Sequence, residues 1–409
     1  MDLDYDRLQS LANGYTPIRE MLGHGGVFEK DHYYCLQTIK DNVNMLPDEA
    51  LRDINVLIVQ AGHEFVGHQA DAPLRGRADS YVVETNVDFP TDVKLTVDAL
   101  RNAIRIVVIL CTMFQVTSWR EHKSMLKKIK LLSRKVGKAK KSKPKSEKGK
   151  EKKEQAVQEA YLDFIGYAIV CVDKIEAFVS DFDTSDVLIG PMLAEIKMFR
   201  DFGKLQIDQM HRRVILDETI PNREKIFSVF EEYTEWISKG KAGVQVEFGL
   251  KVCILEDQHR FILHHHIMED EEDSAIAIEF IKAVQMLFPN LRTCSFDKGF
   301  HSPENQKELA KLLSMCVLPK KGKRNKEEEK REQKEEFIKA RHQHSAVESA
   351  INALEAHGLN RCPDRGHERF YNYVAVGVVG RNLHRLGCLI RTQKREEARK
   401  DAKRLPRAA

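Results

Sequence analysis

The chain has no long hydrophobic run. The longest, 106-IVVILCTMF-114, is too short to span a bilayer and follows Arg101 and Arg105. No basic-then-apolar leader opens the sequence, because Met1-Asp2-Leu3-Asp4 is acidic. Eight cysteines, at 35, 111, 171, 253, 294, 316, 362 and 388, form no CxxC pair. That argues against a zinc ribbon and a disulfide framework, and for buried, reduced thiols in a soluble intracellular protein. Charge of one sign is also scarce: the net charge is only +4. It is unevenly spread, since residues 120–153 carry sixteen Lys/Arg against three acids and the rest of the chain is acidic on balance. The centre of that tract, 137-GKAKKSKPKSEKGKEKKEQ-155, has no apolar periodicity. It reads as a disordered loop, either merely solvated or neutralising phosphates.

At 409 residues the chain can hold two or three domains. Residues 1–76 read as a helical N-terminal region. In 3-LDYDRLQSLANGYTPIREMLG-23 the apolar residues recur at helical spacings, broken by Asn13-Gly14 and Pro17. Ser80 to Val87 has strand composition, and Pro90-Thr91-Asp92 ends it and caps a following helix. Residues 93–235 read as a helical block around the Lys-rich loop. Strands return at 244-VQVEFGLKVCILED-257, where apolar residues alternate, with a hairpin partner at 260-RFILHHHIM-268. A helix at 273–288, strands at 291–296 and 315–319 and a charged helix from about Glu327 to His357 complete the core. Residues 359–409 form a helical tail.

This order suits an α/β fold: an RNase H-like mixed sheet over 77–92 and 236–358, with the helical block 93–235 inserted between its first and second strands. Three acids should converge in such a sheet. Asp79 opens the first strand, Asp297 ends 291-LRTCSF-296, and Glu348 shares a helical stripe with Arg341, His344, Asn352 and Glu355. Gathered carboxylates repel one another strongly without a cation. Mg²⁺ prefers oxygen ligands, and two such ions about 3.5–4 Å apart support phosphodiester chemistry.

Other motifs carry less. His63 and His68 in 63-HEFVGH-68 are five apart, about 140° around a helix, and do not form the zinc-protease pair. His264-His265-His266 alternate faces of a strand. Gly23-His24-Gly25-Gly26 lacks the Lys-Ser/Thr of a P-loop. Trp119 and Trp236 read as core residues. Lys239, Lys241, Lys251 and Lys298 surround the expected acids, and with Arg341 and His344 they are candidate contacts to nucleic acid.

Four segments, in order, carry a family resemblance: 77-RADSYVVETNVDFPTD-92, 236-WISKGKAGVQVEFGLKVCILED-257, 295-SFDKGFHSPEN-305 and 341-RHQHSAVESAINALEAHGLNRCPDRG-366. Together they resemble bacterial insertion-sequence DDE transposases, particularly the ISNCY-type group. The resemblance implies Asp79, Asp297 and Glu348 as catalytic and metal-binding acids on an RNase H-like core, with Mg²⁺ as cofactor and Mn²⁺ as substitute. It implies double-stranded DNA as partner, both element ends and target, with residues 1–76 for DNA-end binding or dimerisation, a homo-oligomer assembled on DNA, no membrane and a cytoplasmic, nucleoid-associated location. The expected activity is strand cleavage at element ends and strand transfer. An RNase H-like nuclease without strand transfer and a non-catalytic DNA-binding derivative are the alternatives. One departure stands out: many members carry a basic residue seven positions after the glutamate, where this chain has Glu355.

Overall fold

The computed structural model describes residues 4–25, 32–182, 187–238 and 245–404. The chain divides into two compact units, Met1–Asn86 with Glu235–Ala409, and Val87–Thr234.

The first unit opens with α1 (Tyr5–Gly14), α2 (Thr16–Met21), α3 (Leu36–Asn44) and α4 (Asp48–Phe65), which leads into β1 (Leu74–Glu84). In β1, Leu74, Gly76 and Ala78 are buried while Arg75 is exposed and Arg77 and Asp79 are half-buried. Asp79 therefore lies inside the strand, opposite Ile254, and does not open it. The charged residues at 75, 77 and 79 hid the first half of the strand from a composition-based reading. They occupy the half-open face of a strand whose other face is core.

Residues 87–234 hold α5 (Asp92–Met113), α6 (His122–Lys141), α7 (Glu147–Ser180) and α8 (Gly190–Val214). The Thr91 side chain caps α5 by accepting from the Lys94 N–H. This unit has its own core, including Leu100, Ile104, Phe164, Ile175 and Ile196. The expected disordered loop at 137–155 is instead mostly helix. The α6 helix runs on to Lys141, and α7 starts at Glu147 with Ser146 accepting from the Gly149 N–H as its cap. Lysine and glutamate are good helix formers, and Lys150 pairs with Glu147 at 2.6 Å. Only 142–146, around Pro144, is left between the helices.

The chain returns to the first unit through β2 (Glu235–Ser238), β3 (Val246–Asp257) and β4 (Ile262–Met268). Next come α9 (Asp273–Leu287), β5 (Leu291–Phe296), α10 (Pro303–Leu312) and β6 (Met315–Val317). The sheet is mixed. β1 pairs antiparallel with β3, β3 antiparallel with β4 and with β2, and β1 parallel with β5, which pairs parallel with β6. The resulting path β4-β3-β1-β5-β6 is an α/β arrangement compatible with an RNase H-like fold. Gly249 in β3 permits the β1–β3 approach, since a Cβ there would sit 2.0 Å from the Val83 carbonyl oxygen.

One face of this sheet, with Ala78, Cys294 and Phe296, packs on Ile276, Phe280 and Ile281 of α9. After α11 (Lys326–Glu332), which packs on the next helix, the other face meets α12 (Glu335–His344), packed on β5 and β6, and α13 (Ala346–Leu354), packed on β1. The expected single helix from Glu327 to His357 is therefore broken, once at Gln333-Lys334 and again at Ser345. The Ser345 hydroxyl donates to the His342 carbonyl at 2.9 Å, a local bond that competes with regular helix. A wide turn follows at Glu355–Leu359, with Gly358 at φ 97°, before α14 (His367–Arg404).

Polar ties fix α4 and α14 to β4. Asn382 accepts from the Ile262 N–H at 3.0 Å and donates to the Ile262 carbonyl at 2.8 Å and to Asn55 at 2.7 Å. Among the described residues no helix is long and apolar enough to cross a membrane.

Candidate acidic site on the mixed sheet

The register of β1 and β5 sets the first two acids. Arg77 lies beside Ser295 and Ala78 beside Phe296. Carried one residue further, the same register puts Asp297 next to Asp79, on parallel strands about 4.8 Å apart. Side chains alternate along a strand. Asp79 therefore faces away from Ala78 and the α9 core, toward the side where α13 packs on β1. Glu348 sits in the first turn of α13 and is exposed, as is Asp297.

The carboxyl of Asp79 is pushed up from its ordinary value to about 7. Burial is the main cause. The charges of Asp297, Asp273 and Glu348 add to it, and the N–H of Ser80, donated to Asp79 Oδ1 at 2.8 Å, opposes it. His344 on α12 stands among the same charges. Its Nδ1 is 3.1 Å from Ser295 Oγ. Burial holds its pKa below the usual histidine value, with Asp297 and Glu348 opposing and Arg77 assisting.

The other candidate contacts are scattered. Lys298 and Arg341 are exposed. Lys251 is 3.4 Å from Glu272. Lys239 and Lys241 lie outside the described residues. Trp119 is buried, whereas Trp236 is 40% exposed and meets Phe248 edge-on, so its expected place in the core does not hold. Four residues alone, on a strand at the sheet's margin, leave it little to pack under.

A fourth acid escapes a reading of the sequence. Asp273, in the first turn of α9, accepts from the Ser80 hydroxyl at 2.6 Å. Its other oxygen lies so close to Gly299 that a Cβ there would stand 2.9 Å away. Asp273 thus touches the residue after Asp79 and the turn after Asp297. Asn305 braces that turn, donating to the carbonyls of Ser274 at 2.6 Å and Phe300 at 2.8 Å. In the sequence Asp273 is the last of five consecutive acids from Glu269, and nothing distinguishes it from the others.

The histidine motifs take structural places. His63 Nε2 lies 2.5 Å from Asp257 Oδ2, and His259 Nε2 lies 3.2 Å from His68 Nδ1, tying the end of α4 to the β3–β4 turn. Among the described residues no three His, Cys, Asp or Glu side chains are arranged to hold a metal ion as they stand. The donor chemistry of the acidic site still fits a hard cation, because every donor is a carboxylate oxygen. Burial raises the Asp79 carboxyl and the charges of Asp297, Asp273 and Glu348 add to it, and a bound cation would oppose both effects.

Residues 208–383 match the transposase DDE domain family, which supports the resemblance to insertion-sequence DDE transposases. The match spans Asp297 and Glu348 but begins downstream of Asp79, and it does not distinguish the ISNCY-type group. Comparison with curated proteins and with solved structures yields no match.

Proposed function

We propose that this transposase-like chain cuts DNA strands at the ends of a mobile element and joins them to target DNA, using Asp79, Asp297 and Glu348. The observation that supports the reading is the β1–β5 register, which pairs Ala78 with Phe296, the residues just before Asp79 and Asp297, on a strand against which α13 packs. The family match over 208–383 supports the reaction class.

Asp79, Asp297 and Glu348 would hold divalent cations, Mg²⁺ or Mn²⁺. When bound, the cations supply positive charge to the scissile phosphate and acidify a water molecule. The chain's own residues do the positioning. Ser295 anchors His344, four residues before Glu348, and so fixes the approach of α12 to the acids. Lys298, exposed directly after Asp297, provides phosphate contact. Asp273 and Asn305 brace the turn that follows Asp297. DNA and a further copy of the chain complete the assembly.

The test is a cleavage and strand-joining assay with Mg²⁺ or Mn²⁺ on DNA carrying the element's flanks, beside a mobility shift in Ca²⁺. Asp297→Asn keeps the shape of the side chain and loses its charge. It is expected to remove both cleavage and joining and to leave the shift in place. Near-wild-type cleavage by Asp297→Asn would reduce that aspartate to a turn residue. Cutting without joining would point to a nuclease, and binding with neither would point to a DNA-binding derivative.

A further inference from the structure

Beside the acids, on the same face of the sheet, lies a cavity of about 200 Å³ between β1, β5, β6 and α12. Arg75, Arg77 and Asp79 alternate along β1 and so share that face. From Gly76, at the cavity's floor, to Asp79 is three residues of strand, about 10 Å. We infer that this cavity seats one nucleotide of the DNA strand whose neighbouring phosphate lies at the acids. This rests on the proposed transposase reading.

The lining has the chemistry of such a ligand. Arg75 and Lys339 are exposed at its rim, and neither has an ion-pair partner among the described residues. Arg77 is already engaged, 2.9 Å from Glu256 and donating to the Asp257 carbonyl at 2.7 Å, so it shapes the wall and is not a free cation. Glu336 is the lining's one acid, so the two free cations outweigh it. Either cation can pair with the phosphate of a nucleotide seated there.

The rest of the lining suits a base. Gln258 accepts from the Arg75 N–H at 2.8 Å through its amide oxygen, which leaves its amide N–H₂ unused among the described residues. Gln343 lines the cavity from α12 with a second amide. Met315 and Ala340 give apolar surface between these polar edges. The volume admits a single base and excludes a duplex, so the strand must enter unpaired. Amides with both donor and acceptor groups can meet any base edge, and the site reads strand position more than sequence.

The experiment uses the full chain without divalent metal, so that binding is read apart from catalysis. The probe is a fluorescent single-stranded oligonucleotide of mixed sequence, with a 5-iodo-deoxyuridine version for photo-crosslinking. Ala340→Phe fills the cavity and leaves its charge alone, and Lys339→Glu reverses a rim charge and leaves its volume alone. Both are expected to weaken binding about tenfold, the scale of one lost base or phosphate contact. Crosslinks should map to β1, β6 or α12. Gln343→Trp, at an exposed position, serves as a second filler if Ala340→Phe melts early. If both fillers bind like wild type while Lys339→Glu does not, the surface is only basic and the inference fails. Crosslinks confined to other segments overturn it as well. If wild type binds as expected but never cuts or joins with metal, the transposase reading falls and the pocket stands.

Discussion

The hydroxyl of Ser80 donates to Asp273 at 2.6 Å, joining the residue after Asp79 to the first turn of α9. Because Asp273 also lies against Gly299, it couples the two segments that carry the sheet-borne acids.

Gly299→Ala is expected to be harmful for a stated reason: its Cβ would meet Asp273 Oδ2 at 2.9 Å. The turn after Asp297 would have to shift. A loss of about 1–2 kcal/mol is expected, typical of overpacking. Combining it with Asp273→Ala should recover part of that loss. A double-mutant cycle by urea unfolding measures the coupling, and strictly additive effects would refute the contact.

Asp79→Asn should stabilise the metal-free protein at neutral pH and above. The folded-state pKa of Asp79 is raised to about 7. The stability its protonated form contributes is fully present below its unfolded pKa. It is lost as pH rises through about 7, beyond which an ionised, half-buried acid opposes folding. The variant is therefore expected to match wild type near pH 4 and to exceed it near pH 8 by up to about 4 kcal/mol, the size of the rise from 3.8 to about 7. Denaturant melts in EDTA at the two pH values decide, and a variant that is less stable at pH 8 contradicts the electrostatic account.

Acid should act on β4 in the opposite direction. Burial lowers the pKa of His264 to about 4 and holds that of His265 well below its usual value. Both are neutral when folded and protonate when unfolded. Their contribution is complete above about 6.5 and falls away as pH drops toward 4, by up to about 1.4 kcal/mol per pH unit for each. His264→Gln should flatten the slope of stability against pH between 6.5 and 5. An unchanged slope would show that His264 does not titrate there.

Limited trypsin digestion should cut the Lys-rich stretch 137–155 chiefly at Lys141, the last residue of α6, and at Lys145, inside the gap between α6 and α7. Lysines within α7, such as Lys148 and Lys150, should be cut later. Even cutting across the stretch would restore the disordered loop.

Much of the sheet was legible because its strands alternate cleanly. The run from Val246 to Asp257, its hairpin partner and the aspartate after Phe296 can all be read from period and punctuation. The start of β1 was not, because Arg75, Arg77 and Asp79 lie on a face that stays half open. The Lys-rich ends of α6 and α7 within 137–155 were not legible, because solvated helix needs no apolar stripe. The break at Ser345 comes with a side-chain bond to a local carbonyl, which no apolar period records. Asp273 and the cavity at Arg75 and Lys339 come from distant segments meeting, which no local pattern records.

The pairing of Asn382 with Ile262 has a consequence for the edge of the sheet. One side-chain amide takes both the N–H and the carbonyl of a β4 residue. It thereby imitates the backbone of a neighbouring strand that is not there. An unpaired strand edge is a template for strands of other molecules, and here a helix supplies a plug for it. Asn382→Leu would free the buried Ile262 N–H and leave its carbonyl to Asn55 alone, and the variant should self-associate on mild heating before the rest of the fold opens. The asparagine guards against the wrong intermolecular pairing as well as supporting the right intramolecular one.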